Sequence, residues 1–171
     1  GYAYSPLPVP SHGLFPQAGD IFIANSPGNL NLDPGESGFQ TLLHEVGHAL
    51  GLKHPFEPNG DHGVLTGPED SGQYTLMSYT GHPHGMFRII TETGPGSYSF
   101  AFPFIEASTP MLYDIAAIQY LYGANMTTRT GNDTYDISNT FDPDTPFFKT
   151  IWDAGGNDTI SVAGFTVGCE I

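Results

Sequence analysis

The sequence predicts an α+β fold, and three observations carry the prediction. Residues 37–50 and 109–123 each read as a helix, and short β-forming runs lie between turn-rich stretches. Gly and Pro number 22 and 15 among 171 residues, so loops join these elements at length.

The first helix starts at Ser37. Ser37 and Gln40 have the spacing of a capping box, in which each side chain satisfies the other's free backbone N–H. Phe39, Leu42, Leu43, Val46, Ala49 and Leu50 recur at helical intervals and define one buried stripe. Gly51 stands where a glycine lets the chain leave a helix. In the second helix Thr109 is the cap, Pro110 suits the first helical position and Gly123 is the stop. The stretch "MLYDIAAIQYLY" is apolar on most sides, which predicts a deeply packed helix.

"GDIFIAN" (19–25) reads as a short strand. Residues 1–18 are Pro-rich, and 26–36 are turn-rich. Residues 55–110 show little periodicity, and a loop region that long inside a compact domain is usually functional. "RTGNDTYDI" (129–137) and "DAGGNDTISV" (153–162) share Gly-Asn-Asp-Thr followed by alternating β-formers. This weak internal repeat places a boundary near residue 127.

Charge narrows the partners. Eighteen acidic residues face four basic ones, for a net charge of −14. Binding to nucleic acid or an anionic membrane needs clustered Lys and Arg, so both are excluded as partners. A surplus of carboxylates fits a protein that meets divalent cations. Cys169 is the single cysteine, so no disulfide forms within the chain. Neither end carries an apolar run long enough to span a bilayer.

The chemistry concentrates in "HEVGHALGLKHP" (44–55). On a helix, His44 and His48 are four residues apart and face the same way, so their imidazoles can hold one metal ion. Glu45 lies beside them and can reach a water on that ion without binding it, the H-E-x-x-H arrangement. Gly51 reverses the chain and brings back His54. Three imidazoles leave the fourth position of a tetrahedral zinc open for water, the mark of a catalytic site. A lone H-E-x-x-H arises by chance in many chains; Gly51 and His54 at fixed offsets make accident a poor account.

H-E-x-x-H-x-x-G-x-x-H is the metzincin motif, matched at His44, Glu45, His48, Gly51 and His54. "TLMSYT" (75–80) resembles the metzincin Met-turn, with Met77 as apolar floor. Pro55, "LYDIAAIQYLYGAN" (112–125), "TRTGND" (128–133) and "WDAGGNDTI" (152–160) are similar to serralysins in particular. Pro55 and the Gly-Asp repeats weaken an astacin-like or matrixin-like reading.

The resemblance implies a metzincin-like zinc protease domain: a small twisted sheet, an active-site helix and a second packed helix, followed by the beginning of a β-roll. Part of the usual N-terminal sheet is missing on this reading. The domains would be 1–127, catalytic and N-terminally short, and 128–171, the truncated start of the calcium-binding β-roll. Tyr79 would be a fifth zinc ligand and oxyanion stabiliser. Calcium would be held by Arg129 and Gly131 main chain, Asp133, Asp153, Gly155 and Asp158; Gly-Gly-x-Asp supports this, because glycines let carbonyls turn inward. Extended substrate would lie along Ile21, Phe22, Ile23, Ala24 and Asn25.

The expected function is that of a secreted zinc-dependent endopeptidase, with Glu45 as general base and Zn2+ and Ca2+ as cofactors. The alternative is a calcium-stabilised binding or adhesion fragment that keeps a zinc site but hydrolyses nothing. The partner is a protein or peptide substrate; a proteinaceous inhibitor or the missing N-terminal segment is a further candidate. His12, His62, His82 and His84 read as exposed loop histidines without a role, and Phe147, Phe148 and Trp152 as β-core residues.

Overall fold

The computed structural model describes residues 1–6, 15–58, 63–137 and 148–165. His12, His62 and Phe147 lie outside the described residues. Among the described residues ten elements follow in order: β1 (Tyr2–Ala3), β2 (Ile21–Phe22), α1 (Pro27–Leu30), α2 (Ser37–Ala49), a 3₁₀ turn (Gly67–Glu69), β3 (Ile89–Gly94), β4 (Ser97–Ala101), α3 (Leu112–Tyr122), β5 (Thr134–Asp136) and β6 (Thr159–Ser161). The strands form three two-stranded sheets: β1–β2 and β3–β4 antiparallel, β5–β6 parallel.

Helix α2 begins at Ser37 as expected, but not by the capping box. Glu36 is its N-cap and makes no side-chain cap bond. Instead the α1 segment closes over the helix start. A β-carbon on Gly38 would lie 2.3 Å from Asn31 O and 2.6 Å from Gly28 O, so only glycine admits this backbone. The far end is a Schellman motif: Leu52 N donates to Gly47 O (2.9 Å) and Gly51 N to His48 O (2.9 Å), with Gly51 at φ +98°.

Helix α3 starts two residues later than the Pro110 signal. Met111 is its N-cap, and the Asp114 carboxylate accepts the Met111 N–H at 2.8 Å. Thr109 serves elsewhere, its hydroxyl accepting the Thr150 N–H. The expectation of deep packing is corrected as well. Asp114 is the one buried residue of α3, while Leu112, Leu121 and Tyr122 are exposed and Tyr120 is 90% exposed. Apolar composition all round a helix predicts cover on every side, and the described residues cover only the face toward the core.

Residues 55–110 hold a hairpin that periodicity did not reveal. β3 and β4 pair Ile89 with Ala101 and Ile90 with Phe100, with an irregularity between Glu92 and Gly94. Most of both strands is exposed, so no buried face imposes alternation on the sequence. The core lies elsewhere, where Leu76, Ala107 and Met111 pack with Leu43 of α2 and Phe148. That cluster joins α2, the 75–78 turn and the start of α3, the three parts that build the site. Trp152 is half-buried and donates to Asn125 O. His82 is not a free loop side chain: it is half-buried, its ring stacked 3.5 Å from that of Phe148.

Candidate metal centre and active site

Helix α2 carries His44 and His48 on one face, and the Schellman turn returns His54 to them. The Nε2 atoms of His48 and His54 are 3.1 Å apart, and those of His54 and His44 are 3.3 Å apart. All three ligand atoms lie within 4.8 Å of one another.

Hydrogen bonds behind the rings fix which nitrogen is free. His44 Nδ1 donates to Leu76 O at 2.7 Å, and His48 Nδ1 to Leu52 O at 2.9 Å. A carbonyl only accepts, so these Nδ1 atoms carry the protons and the Nε2 atoms keep lone pairs. His54 Nδ1 lies 2.9 Å from Glu57 Oε1. That contact is off the N–H line and leaves Nδ1 without an aligned hydrogen bond. Proximity of His54 still holds the Glu57 carboxyl below the usual range.

Lone pairs that face one another cannot hydrogen-bond together; a cation between them resolves the repulsion. Zinc with bonds of about 2.0–2.1 Å in a tetrahedron spaces its nitrogens by about 3.3–3.4 Å. The separations of 3.3 and 3.1 Å lie at and just below that edge, and the donor set of imidazoles suits zinc. Burial, chiefly, lowers the His44 pKa, with His48 and His54 adding to the effect, and this favours the neutral ring that can bind a metal.

Glu45 points into the same place. It is 4% exposed, and its Oε2 has no hydrogen-bond partner among the described residues. Its Oε1 lies 3.8 Å from the Gly1 nitrogen. The Tyr79 ring sits 4.6 Å from that of His54 and 5.8 Å from that of His44, with 73% of the residue exposed. A cavity of about 430 Å3 runs past His44, Glu45, Leu76, Ser78, Tyr79 and Glu106. A larger and more apolar cavity, of about 490 Å3, lies behind the 75–78 turn between Leu52, Met77 and Leu121. It contains none of the three histidines, whereas the smaller one reaches His44 and Glu45.

Met77 is buried against α2, 2% exposed. Two residues that sequence reasoning missed hold this floor. Gly47 lies against it: a β-carbon there would be 2.6 Å from the Met77 sulfur. Asp114 is 3% exposed and accepts from Thr75 Oγ1 (2.6 Å), Leu76 N (2.8 Å) and Met111 N (2.8 Å). Burial raises its carboxyl pKa, with these three donors pulling the other way. The same residue, Leu76, whose N–H binds Asp114 offers its C=O to His44. One acidic residue in an otherwise apolar helix, three residues after its cap, is the sequence signal that would have found Asp114.

Strand β2 contains Ile21 and Phe22, and β1 covers one of its edges; Ile23, Ala24 and Asn25 continue without strand pairing. The two repeat copies meet in register. Thr134 pairs with Thr159, Asp133 N donates to Asp158 Oδ1 and Asn157 N to Asn132 Oδ1. Ligand atoms of Asp133, Asp153 and Asp158 lie within 4.8 Å of one another. Asp133 Oδ2 is buried without a partner, and Gly156 touches Gly131 O so closely that no β-carbon fits. Arg129 takes φ +51°, an uncommon backbone for a residue with a side chain. The Tyr135 hydroxyl, and then the Gly155 N–H, hold the Asp153 carboxyl below its ordinary range. A buried orphan oxygen among three carboxylates fits a hard divalent cation.

A helix-borne histidine pair, a third imidazole returned by a glycine turn and a methionine floor define a metzincin-type metal centre. No family model matches the chain. The chain is 41% identical to serralysin of Proteus mirabilis over 154 residues, which are 81% of this chain and 28% of that protein. It is 43% identical to serralysin C of Dickeya chrysanthemi over 149 residues, 78% of this chain and 28% of that protein. Metalloprotease AprA of Pseudomonas entomophila is 35% identical over 181 residues, 96% of this chain and 35% of that protein. The chain belongs to the serralysin-type metalloproteases. It spans about a third of the length of the curated relatives it matches.

Proposed function

We propose that this chain carries the catalytic centre of a secreted, zinc-dependent endopeptidase. The observation that carries the reading is the convergence of three Nε2 lone pairs, two separations of 3.1 and 3.3 Å lying just below and at a tetrahedral edge. His44, His48 and His54 would hold zinc, with Tyr79 as a further ligand at rest. The bound ion supplies a Lewis acid and an acidified water.

The chain's own residues supply the rest. Glu45 accepts the proton of the attacking water and delivers it to the leaving amine nitrogen. Its buried Oε2, without a partner among the described residues, supports that role. The Tyr79 hydroxyl, freed from rest, donates to the developing oxyanion. Leu76 O and Leu52 O keep His44 and His48 in the metal-binding tautomer. Peptide substrate extends along residues 21–25 by backbone pairing. Among the described residues β2 pairs on one edge only, which supports this.

Residues 128–171 begin a calcium-binding β-roll after a catalytic unit of residues 1–127. Arg129 and Gly131 carbonyls, Gly155 and the carboxylates of Asp133, Asp153 and Asp158 bind Ca2+ there. The parallel pairing of the two Gly-Asn-Asp-Thr copies supports a repeating roll. Secretion rests on the family resemblance. No helix among the described residues is long and apolar enough to cross a membrane.

The test is Glu45→Ala. The variant retains zinc at one equivalent and loses digestion of a denatured protein substrate. Full digestion by that variant would overturn the assignment. Zinc-loaded wild-type chain that digests nothing would favour the calcium-stabilised binding reading instead.

A further inference from the structure

Glu106 is an acid in the cleft that the proposed chemistry does not use. It lines the same cavity as His44, Glu45, Ser78 and Tyr79, and it is half-buried. Its backbone is pinned from both sides: Glu106 N donates to Gly35 O at 3.1 Å, and Phe148 N donates to Glu106 O at 3.3 Å. The adjacent Ala107 is buried and bridges to Phe148. The side chain is therefore carried on a fixed piece of wall.

The carboxylate has no partner there. No ion pair or side-chain hydrogen bond reaches it among the described residues. None of the chain's four basic side chains lines the cavity, and the Gly1 ammonium that does lies against Glu45. Burial alone pushes its pKa up, with no neighbouring charge offsetting the effect. Ionised, such a group is short of solvation that an incoming cation would restore. The cavity's other carboxylate, Glu45, has the Gly1 ammonium 3.8 Å from its Oε1, so Glu106 is the carboxylate left without a cation there.

On the reading of this site as an endopeptidase, we infer that Glu106 selects substrates with a lysine or arginine next to the bond to be cleaved. The cation enters the cavity beside the reacting centre and pairs with the Glu106 carboxylate. Neutral side chains of similar length leave that carboxylate unpaired, and acidic ones are repelled.

The experiment uses the zinc-loaded chain and a peptide library whose cleavage sites are read by mass spectrometry. Lysine and arginine beside the cut should be preferred over norleucine by about tenfold in kcat/KM. Glu106→Gln should abolish the preference while leaving cleavage of norleucine peptides unchanged, and Glu106→Lys should shift it to acidic residues. Cleavage without a basic preference, or a preference that survives Glu106→Gln, overturns the inference and leaves the protease reading standing. If no peptide is cleaved, the protease reading fails, and binding decides this one. Fluorescent lysine and norleucine hexapeptides are then titrated into chelator-treated wild-type and Glu106→Gln chains. Tighter lysine binding lost in the variant supports the assignment, and equal binding overturns it.

Discussion

Gly47 and Met77 meet backbone to sulfur: a β-carbon on Gly47 would stand 2.6 Å from the Met77 Sδ. The helix that carries two histidines thus rests directly on the methionine floor. Alanine is a better helix former than glycine by about 1 kcal/mol, so propensity alone says that Gly47→Ala stabilises. Overpacking says the opposite, at about 1–3 kcal/mol, and the contact is too short to be relieved without moving Met77 or α2. We expect a lower melting temperature for Gly47→Ala and partial recovery in the double variant with Met77→Ala. A raised melting temperature in the single variant would show that the floor yields freely.

Asp114 acts on His44 through the backbone of one residue, Leu76. Its carboxylate takes the Leu76 N–H, and the Leu76 carbonyl takes the His44 Nδ1 proton. Groups that orient metal ligands in this way are worth about 10–100-fold in metal affinity. Asp114→Asn keeps the shape but offers one fewer acceptor to three donors. The zinc dissociation constant should rise about tenfold or more, with a loss of about 1–3 kcal/mol in stability. Competition against a chromogenic chelator measures the first, and denaturant titration the second. Thr75→Ser keeps the hydroxyl that binds Asp114 and should keep the affinity. Wild-type zinc affinity in Asp114→Asn would remove the positioning role.

The metal centre was legible because its chemistry is local. His44, Glu45, His48, Gly51 and His54 lie on one helix and its exit, where spacing fixes geometry. Met77 and Tyr79 were legible only by resemblance; the structure sets the Tyr79 ring beside those of His44 and His54, and Met77 against Gly47 of α2. Asp114 and Glu106 were missed because they reach the site from far along the chain, a separation no periodicity encodes. The α2 cap failed for a related reason. Ser37 and Gln40 had the local pattern, but α1 packs against Gly38 and decides the helix start. In the exposed hairpin of β3 and β4 no buried face wrote an alternation into the sequence.

The lowered His44 pKa gives a signed pH dependence. Burial is its main cause, so the folded chain releases this proton more readily than the unfolded chain does. Between the lowered value and about 6.5 the unfolded state holds more protons, so stability rises with pH across that window. It is lost as pH falls from about 6.5 toward the folded value. Denaturation midpoints of the metal-free chain, from about pH 7 down to about pH 5.5, should fall more steeply for wild type than for His44→Gln. Apparent zinc affinity should weaken through the same range, since protons compete for the ring. Parallel curves for the two proteins would contradict the assignment.

The three carboxylates at the β5–β6 junction make a separate prediction. Asp133, Asp153 and Asp158 bring ligand atoms within 4.8 Å of one another, and Asp133 Oδ2 is buried without a partner. Three like charges so placed repel, and the Tyr135 hydroxyl keeps Asp153 ionised rather than letting a proton relieve the strain. A bound cation removes both the repulsion and the orphaned oxygen. Calcium at a hundred times its dissociation constant should stabilise the chain by about 2.7 kcal/mol. The measurement is a thermal melt in excess zinc, with and without added calcium, so that the histidine centre stays filled in both. Asp133→Asn should shrink the calcium-dependent shift while leaving zinc binding unchanged. Melts that coincide with and without calcium in the wild-type chain would leave the paired Gly-Asn-Asp-Thr copies as a purely structural turn.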